Sequence, residues 1–228
     1  MMKLKYLSAE FLLIFLILAL PPLLTGSSGE APAAPRFSLA NAETLVIAIL
    51  LCLQLHRELP RTSCPAFRRV SIATVTFGIL MLAYAAVELG GTALSMLFGQ
   101  GEPLVASRQI TGVGQWLLAT AALAAGAFYE ECLYRAFLPE IPLLLLGRAG
   151  STWIQGHKKP LSAGIEAFCV IVFALSHRYL GMLAVTNALL CGTVLRVCYR
   201  KSGGILCGTV AHFCYNMTLL LFSSLAQV

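Results

Sequence analysis

Seven stretches of this chain stay apolar for close to the length of a spanning helix: 6–24, 39–55, 70–90, 110–138, 163–179, 181–200 and 204–225. A helix that crosses a bilayer needs about 20 largely apolar residues. The pattern predicts an all-α fold, a polytopic transmembrane helix bundle of about seven spans, with six to eight as the range. Composition closes off the alternatives. 58% of the residues are hydrophobic and 11% are charged, whereas soluble domains carry about 25% charged residues. A core of this size cannot bury that surplus, so lipid must be the solvent. A soluble enzyme, a disordered chain and a nucleic-acid binder are excluded. The connections at 25–35, 56–69, 99–109 and 147–162 hold the Gly, Pro and charged residues. No soluble domain or internal repeat interrupts the pattern, which makes 1–228 a single integral membrane domain.

The net charge of +6 is not gathered into one patch. The basic residues stand at the ends of the apolar runs, where they act as topology signals. With a cytoplasmic N-terminus, twelve fall inside: Lys3, Lys5, Arg57, Arg61, Arg68, Arg69, Arg148, Lys158, Lys159, Arg196, Arg200 and Lys201. Arg36, Arg108 and Arg178 fall outside, and Arg135 is left within a span. The N-terminus is expected to be cytoplasmic and the protein multi-pass, in the inner membrane if the chain is bacterial. Residues 1–24 also resemble a signal peptide, but the run continues through Pro21 and Pro22 to Leu24, the length of a retained anchor.

The eight cysteines show no CxxC pair, and most sit in apolar runs as small hydrophobes. The chain has no aspartate, which excludes an EF-hand or an aspartate dyad.

Ionisable groups inside spans are costly and mark functional sites by default. The fourth run ends Glu130-Glu131-Cys132-Leu133-Tyr134-Arg135, the fifth ends Phe173-Ala174-Leu175-Ser176-His177, and the seventh contains His212-Phe213-Cys214-Tyr215-Asn216. Glu131 and Arg135 are four apart and share a helix face, so they can form an ion pair. Glu130 lies about 100° round the helix and points elsewhere. A carboxylate with no local partner suits acid–base work. His212 and Asn216 are also four apart, and can offer an imidazole and an amide to one oxygen. At 1.5 Å per residue, Glu130 lies about 15 Å, His212 about 10 Å and His177 about 21 Å from the cytoplasmic ends of their helices. One cavity in the cytoplasmic half or middle of the bilayer can hold all three. Each feature also has a plainer reading. A Glu–Arg pair can be a brace, either histidine can bond two helices together, and Phe173 can simply pack. Gly204 and Gly208 read as a small-xxx-small packing pair, and His56 and His157 as solvated loop residues.

Glu130-Glu131-x-x-x-Arg135, Phe173-x-x-x-His177 and His212-x-x-x-Asn216, in that order, resemble the CPBP (Abi) superfamily of intramembrane glutamic endopeptidases, related to the type II CAAX prenyl protease Rce1. The stretch from Arg200 through Ala211 and His212 is similar to the last hairpin of that family. The resemblance covers roughly 110–220, which would carry the catalytic core. It implies a peptidase in which Glu130 with His177 activates a water and His212 with Asn216 stabilises the oxyanion. Glu131 and Arg135, with Phe173, would support the site. It also implies catalysis without a metal or other cofactor, although Glu130, His177 and His212 form a set that zinc can accept. The partners implied are the lipid bilayer and a membrane-associated protein or peptide substrate: a CAAX protein, a C-terminal sorting tail or a leader peptide. No nucleic acid is expected. The alternatives are a proton- or ion-coupled transporter, which intramembrane Glu, His and Arg also fit, and a non-catalytic immunity or scaffold member of the family.

Overall fold

The computed structural model describes residues 2–24, 35–59, 64–98, 110, 112–149 and 151–225. All elements among them are helices: α1 (Met2–Ile14), α2 (Pro21–Leu24), α3 (Leu39–Glu58), α4 (Ala66–Phe98), α5 (Val113–Glu130), α6 (Leu138–Arg148), α7 (Thr152–Gly156), α8 (Lys158–Leu175), α9 (Met182–Ser202) and α10 (Leu206–Leu225). Two π-helical segments join neighbours, Phe15–Ala19 between α1 and α2 and Glu131–Phe137 between α5 and α6. The fold is all-α, with no strand among the described residues.

Four helices, α3, α4, α9 and α10, are long and apolar enough to cross a membrane. In α3 and α4 only 17% of the most apolar window is buried, against 39% in α9 and α10. The first pair therefore turns its apolar side chains outward, where only lipid can solvate them, and the second pair lies further in. The chain is an integral membrane protein.

Several boundaries differ from the sequence expectation. The helix expected over 110–138 continues to Arg148: Pro139 falls in the first turn of α6, after the π-helical segment, and Pro142 lies inside α6. The helix expected over 163–179 starts at Lys158 and stops at Leu175. Pro160 is tolerated in its first turn, where main-chain donors are unpaired in any case. It ends where the His177 N–H turns back to the Ala174 carbonyl. His56 belongs to α3, and His157 caps α8 with its ring stacked on Trp153. Arg61, Arg108 and Ser28 lie outside the described residues.

Helix α9 packs against α4, α8 and α10, while α10 also touches α4 and α5, and α3 lies on α5. Small residues permit the close approach of α5, whose Ala119, Ala122, Ala125 and Ala127 are buried. The α9–α10 hairpin turns at Gly203, which has φ +69° and returns its N–H to the Tyr199 carbonyl. That left-handed residue after a helix end is the place where glycine is favoured. One buried cluster surrounds the π-helical turn with Leu133, Phe137, Ile141, Val172 and Phe173. A second holds Leu80, Cys191, Leu195, Ala211 and Tyr215 between α4, α9 and α10.

Candidate active site

Glu131 is held by α10 and by its own helix through one oxygen, while its Oε2 is buried without a hydrogen bond. It is 0% exposed. Its Oε1 lies 3.1 Å from His212 Nδ1 and 3.5 Å from Arg135 Nε. A carboxylate oxygen accepts, so the His212 Nδ1–H donates to it and the other ring nitrogen, Nε2, is directed away. That nitrogen lies 3.8 Å from Glu130 Oε2. The imidazole of α10 thus stands between two consecutive glutamates from the end of α5.

The two carboxylates differ in access. The Glu130 side chain is 28% exposed, whereas that of Glu131 is 0%. Glu130 Oε2 is buried without a hydrogen bond. Space for Glu131 comes from Gly208, one helical turn before His212. A Cβ there would lie 2.5 Å from Glu131 Oε2. The small-residue pair read at Gly204 and Gly208 is therefore not a pair. Gly208 admits a carboxylate, and a Cβ at Gly204 would meet nothing within 4 Å.

Arg135 extends the group toward α8. Its guanidinium carbon sits 3.7 Å from the centre of the Phe173 ring, a cation–π contact that compensates for buried Nε and Nη2 atoms without hydrogen-bond acceptors. A Cβ at Gly192 of α9 would be 2.9 Å from Phe173 Cδ1, so that glycine lets the ring lie where it does. The His177 ring meets Phe173 edge-on at 4.6 Å. His177 Nδ1 is 2.9 Å from the Phe173 carbonyl and 3.2 Å from Ser176 Oγ. A carbonyl only accepts, so Nδ1 carries the proton and Nε2 holds a lone pair when the ring is neutral.

The structure thus gathers Glu130, Glu131, Arg135 and His212 into one contact group, with Phe173 against Arg135. His177 joins it only through Phe173 and lies within ion-pair distance of neither glutamate. Its place at the far end of α8 explains the separation. Asn216 is half-buried one turn beyond His212 on α10. Among the described residues no three His, Cys or Glu side chains converge with metal-ligand spacing, so the Glu130, His177 and His212 set is not drawn together as a cage.

An apolar groove of about 460 Å³ lies between α4 and α10, lined on α10 by Cys207, beside Gly208, and by Ala211, next in the chain to His212. Val70, Phe77, Val210 and Ala211 line it, with Arg69 at one end.

Sequence reasoning missed two further parts of this region. The sequence pattern makes Gly208 a packing residue and Arg196 one of the cytoplasmic charges. Arg196 is 5% exposed inside the bundle and pairs with Glu166 and Glu140. The signal was available, since Arg196 and Glu166 both interrupt apolar runs. What was not available was their proximity across 30 residues.

The model of the family described as type II CAAX prenyl endopeptidase Rce1-like matches residues 112–218. This segment is similar to the Rce1-like family. The Rce1-like segment begins at the cap of α5 and ends within α10, so it takes in every residue of the group above. The family is one of membrane proteases. No curated protein and no solved structure matches the chain.

Proposed function

We propose that the protein is an intramembrane endopeptidase that hydrolyses a peptide bond in a membrane-associated protein or peptide of CAAX type. One observation carries the reading: Glu130 Oε2 and His212 Nε2 face each other at 3.8 Å, close enough for a single oxygen to contact both at hydrogen-bond length. Glu130 is the accessible carboxylate and takes the proton of the attacking water. The water oxygen bonds to the carbonyl carbon, and the proton passes from Glu130 to the departing amide nitrogen as the C–N bond breaks. His212 and Asn216 donate to the oxyanion. For that role His212 must carry both ring protons. Two carboxylates, the Arg135 guanidinium and the imidazolium then sum to zero charge, which suits a low-dielectric interior.

Glu131 fixes the tautomer and direction of His212, and Arg135 on Phe173 fixes Glu131. His177 presents its Nε2 lone pair from α8 and orients the water or the substrate rather than Glu130 itself. Catalysis without a metal is part of the proposal. The apolar groove between α4 and α10 suits a substrate that arrives from the lipid. A bundle of about seven spans with a cytoplasmic N-terminus completes the reading and opens the groove's Arg69 end to the cytoplasm.

Membrane proteomics of cells carrying the wild type or Glu130→Ala tests the function. An uncut membrane-anchored precursor should accumulate with Glu130→Ala. Identical precursor profiles, together with substrate-driven proton flux in vesicles, would favour a transporter instead.

A further inference from the structure

A buried arginine and two half-buried glutamates stand outside the Glu130–His212 group: Arg196 of α9, Glu140 of α6 and Glu166 of α8. Arg196 directs Nε and Nη2 at the two carboxylate oxygens of Glu166, with Nη2 2.6 Å from Oε1. Its Nη1 carries two hydrogens and meets two acceptors, Glu140 Oε1 at 2.9 Å and the main-chain oxygen of Arg135 at 2.6 Å. The last bond reaches into the proposed site. In an α-helix the Arg135 carbonyl would accept from the N–H of residue 139, which is Pro139 and has none. The chain passes this point as the π-helical turn Glu131–Phe137, in which the Leu138 N–H bonds to the Leu133 carbonyl. Single π-helical turns of this kind mark functional places in helices.

We propose that Arg196 is a positioning residue: by donating to the Arg135 carbonyl it fixes the π-helical turn, and so the direction in which Glu130 and Glu131 meet His212. This rests on the reading of that group as the reacting site. The two glutamates around Arg196 immobilise the donor. The fork to Glu166 sets the plane of the guanidinium, and Glu140 uses the remaining Nη1 hydrogen. A lysine matches the charge but not the fork, since one ammonium cannot hold Glu166 bidentately and also reach the carbonyl. A mere ion pair needs only the charge.

The test is Arg196→Lys in the full-length protein, read in two ways. Turnover of a cleaved peptide should lose about 10- to 100-fold in kcat while KM holds, the size of effect expected from an ångström-scale misplacement. Cys132 lies within the turn, and its sulfur is 2.7 Å from that of Cys52 on α3. Linking of these two thiols by diamide should therefore be slower in the variant, scored by mass spectrometry of the joined peptides. The linking rate reads the turn without any proteolysis, so it stands even if the peptidase reading fails. Wild-type kcat with a wild-type linking rate would overturn the proposal. If Arg196→Lys does not fold, Pro139→Ala in the same chain returns an N–H to the Arg135 carbonyl. Recovery of folded protein and of linking would then support the positioning role, and no recovery would refute it.

Discussion

Replacing Glu130 by glutamine removes a negative charge from the accessible member of the carboxylate pair and leaves the buried member, Glu131, with its partners. We expect Glu130→Gln to keep the amount of folded protein and abolish peptide cleavage, measured side by side in detergent. Arg135→Ala should instead lower the amount of folded protein. It leaves Glu131 facing His212 alone at 0% exposure, and removing one member of a buried charge pair costs about 3–5 kcal/mol, which a thermal unfolding series will show. His212→Ala and Asn216→Ala should each slow cleavage on the order of 10²–10³-fold, as loss of an oxyanion donor does. Equal loss in both would fit shared work on one oxygen. A far larger loss at His212, restored by added zinc after chelation, would fit a metal instead. The motif residues were legible because each pair lies within one helix, where spacing alone sets the face. Gly208 was not legible, because its meaning is a carboxylate 77 positions earlier in the chain. Its methyl variant, Gly208→Ala, should displace Glu131 and reduce kcat, with little change in helix content by circular dichroism.

At the level of elements, the sequence located the helices and misjudged where several of them end. Apolar runs report burial in lipid or protein, and they do not report the few polar residues that a helix can carry past the run. For that reason α8 begins at Lys158 and the helix through Glu130 continues to Arg148. The π-helical turn was invisible for a different cause. Its signature is one proline, and a proline at 139 reads equally well as a helix end. The groove between α4 and α10 required pairing two distant runs, for which no local pattern exists. If substrate reaches His212 along that groove, a bulky side chain on its wall should hinder binding and not chemistry. Thr74 lines the groove and is exposed, so Thr74→Trp should raise KM while kcat stays close to wild type. An unchanged KM would show that substrate enters elsewhere.

For the molecule as a whole, composition alone sufficed to place it in lipid, and charge bias supplies the orientation expected for it. Of the twelve basic residues assigned to the cytoplasmic side, Arg196 belongs to the interior, which still leaves the bias strongly one-sided. A reporter fused after Arg68, on the exposed first turns of α4, should read cytoplasmic. An external reading would invert the molecule and put the Arg69 end of the groove on the opposite face. The Glu140–Glu166–Arg196 contact also bears on how such a chain is made. Glu166 and Arg196 sit on consecutive long helices, and each alone would be an unwelcome passenger for an insertion machine. As a neutralised hairpin, α8 and α9 can leave the translocon together. A nascent chain that stops before α9 strands two acidic groups without their arginine. Such a chain should be held back and degraded, whereas one that reaches Ser202 should settle in the bilayer, so the order of synthesis itself becomes a checkpoint on assembly.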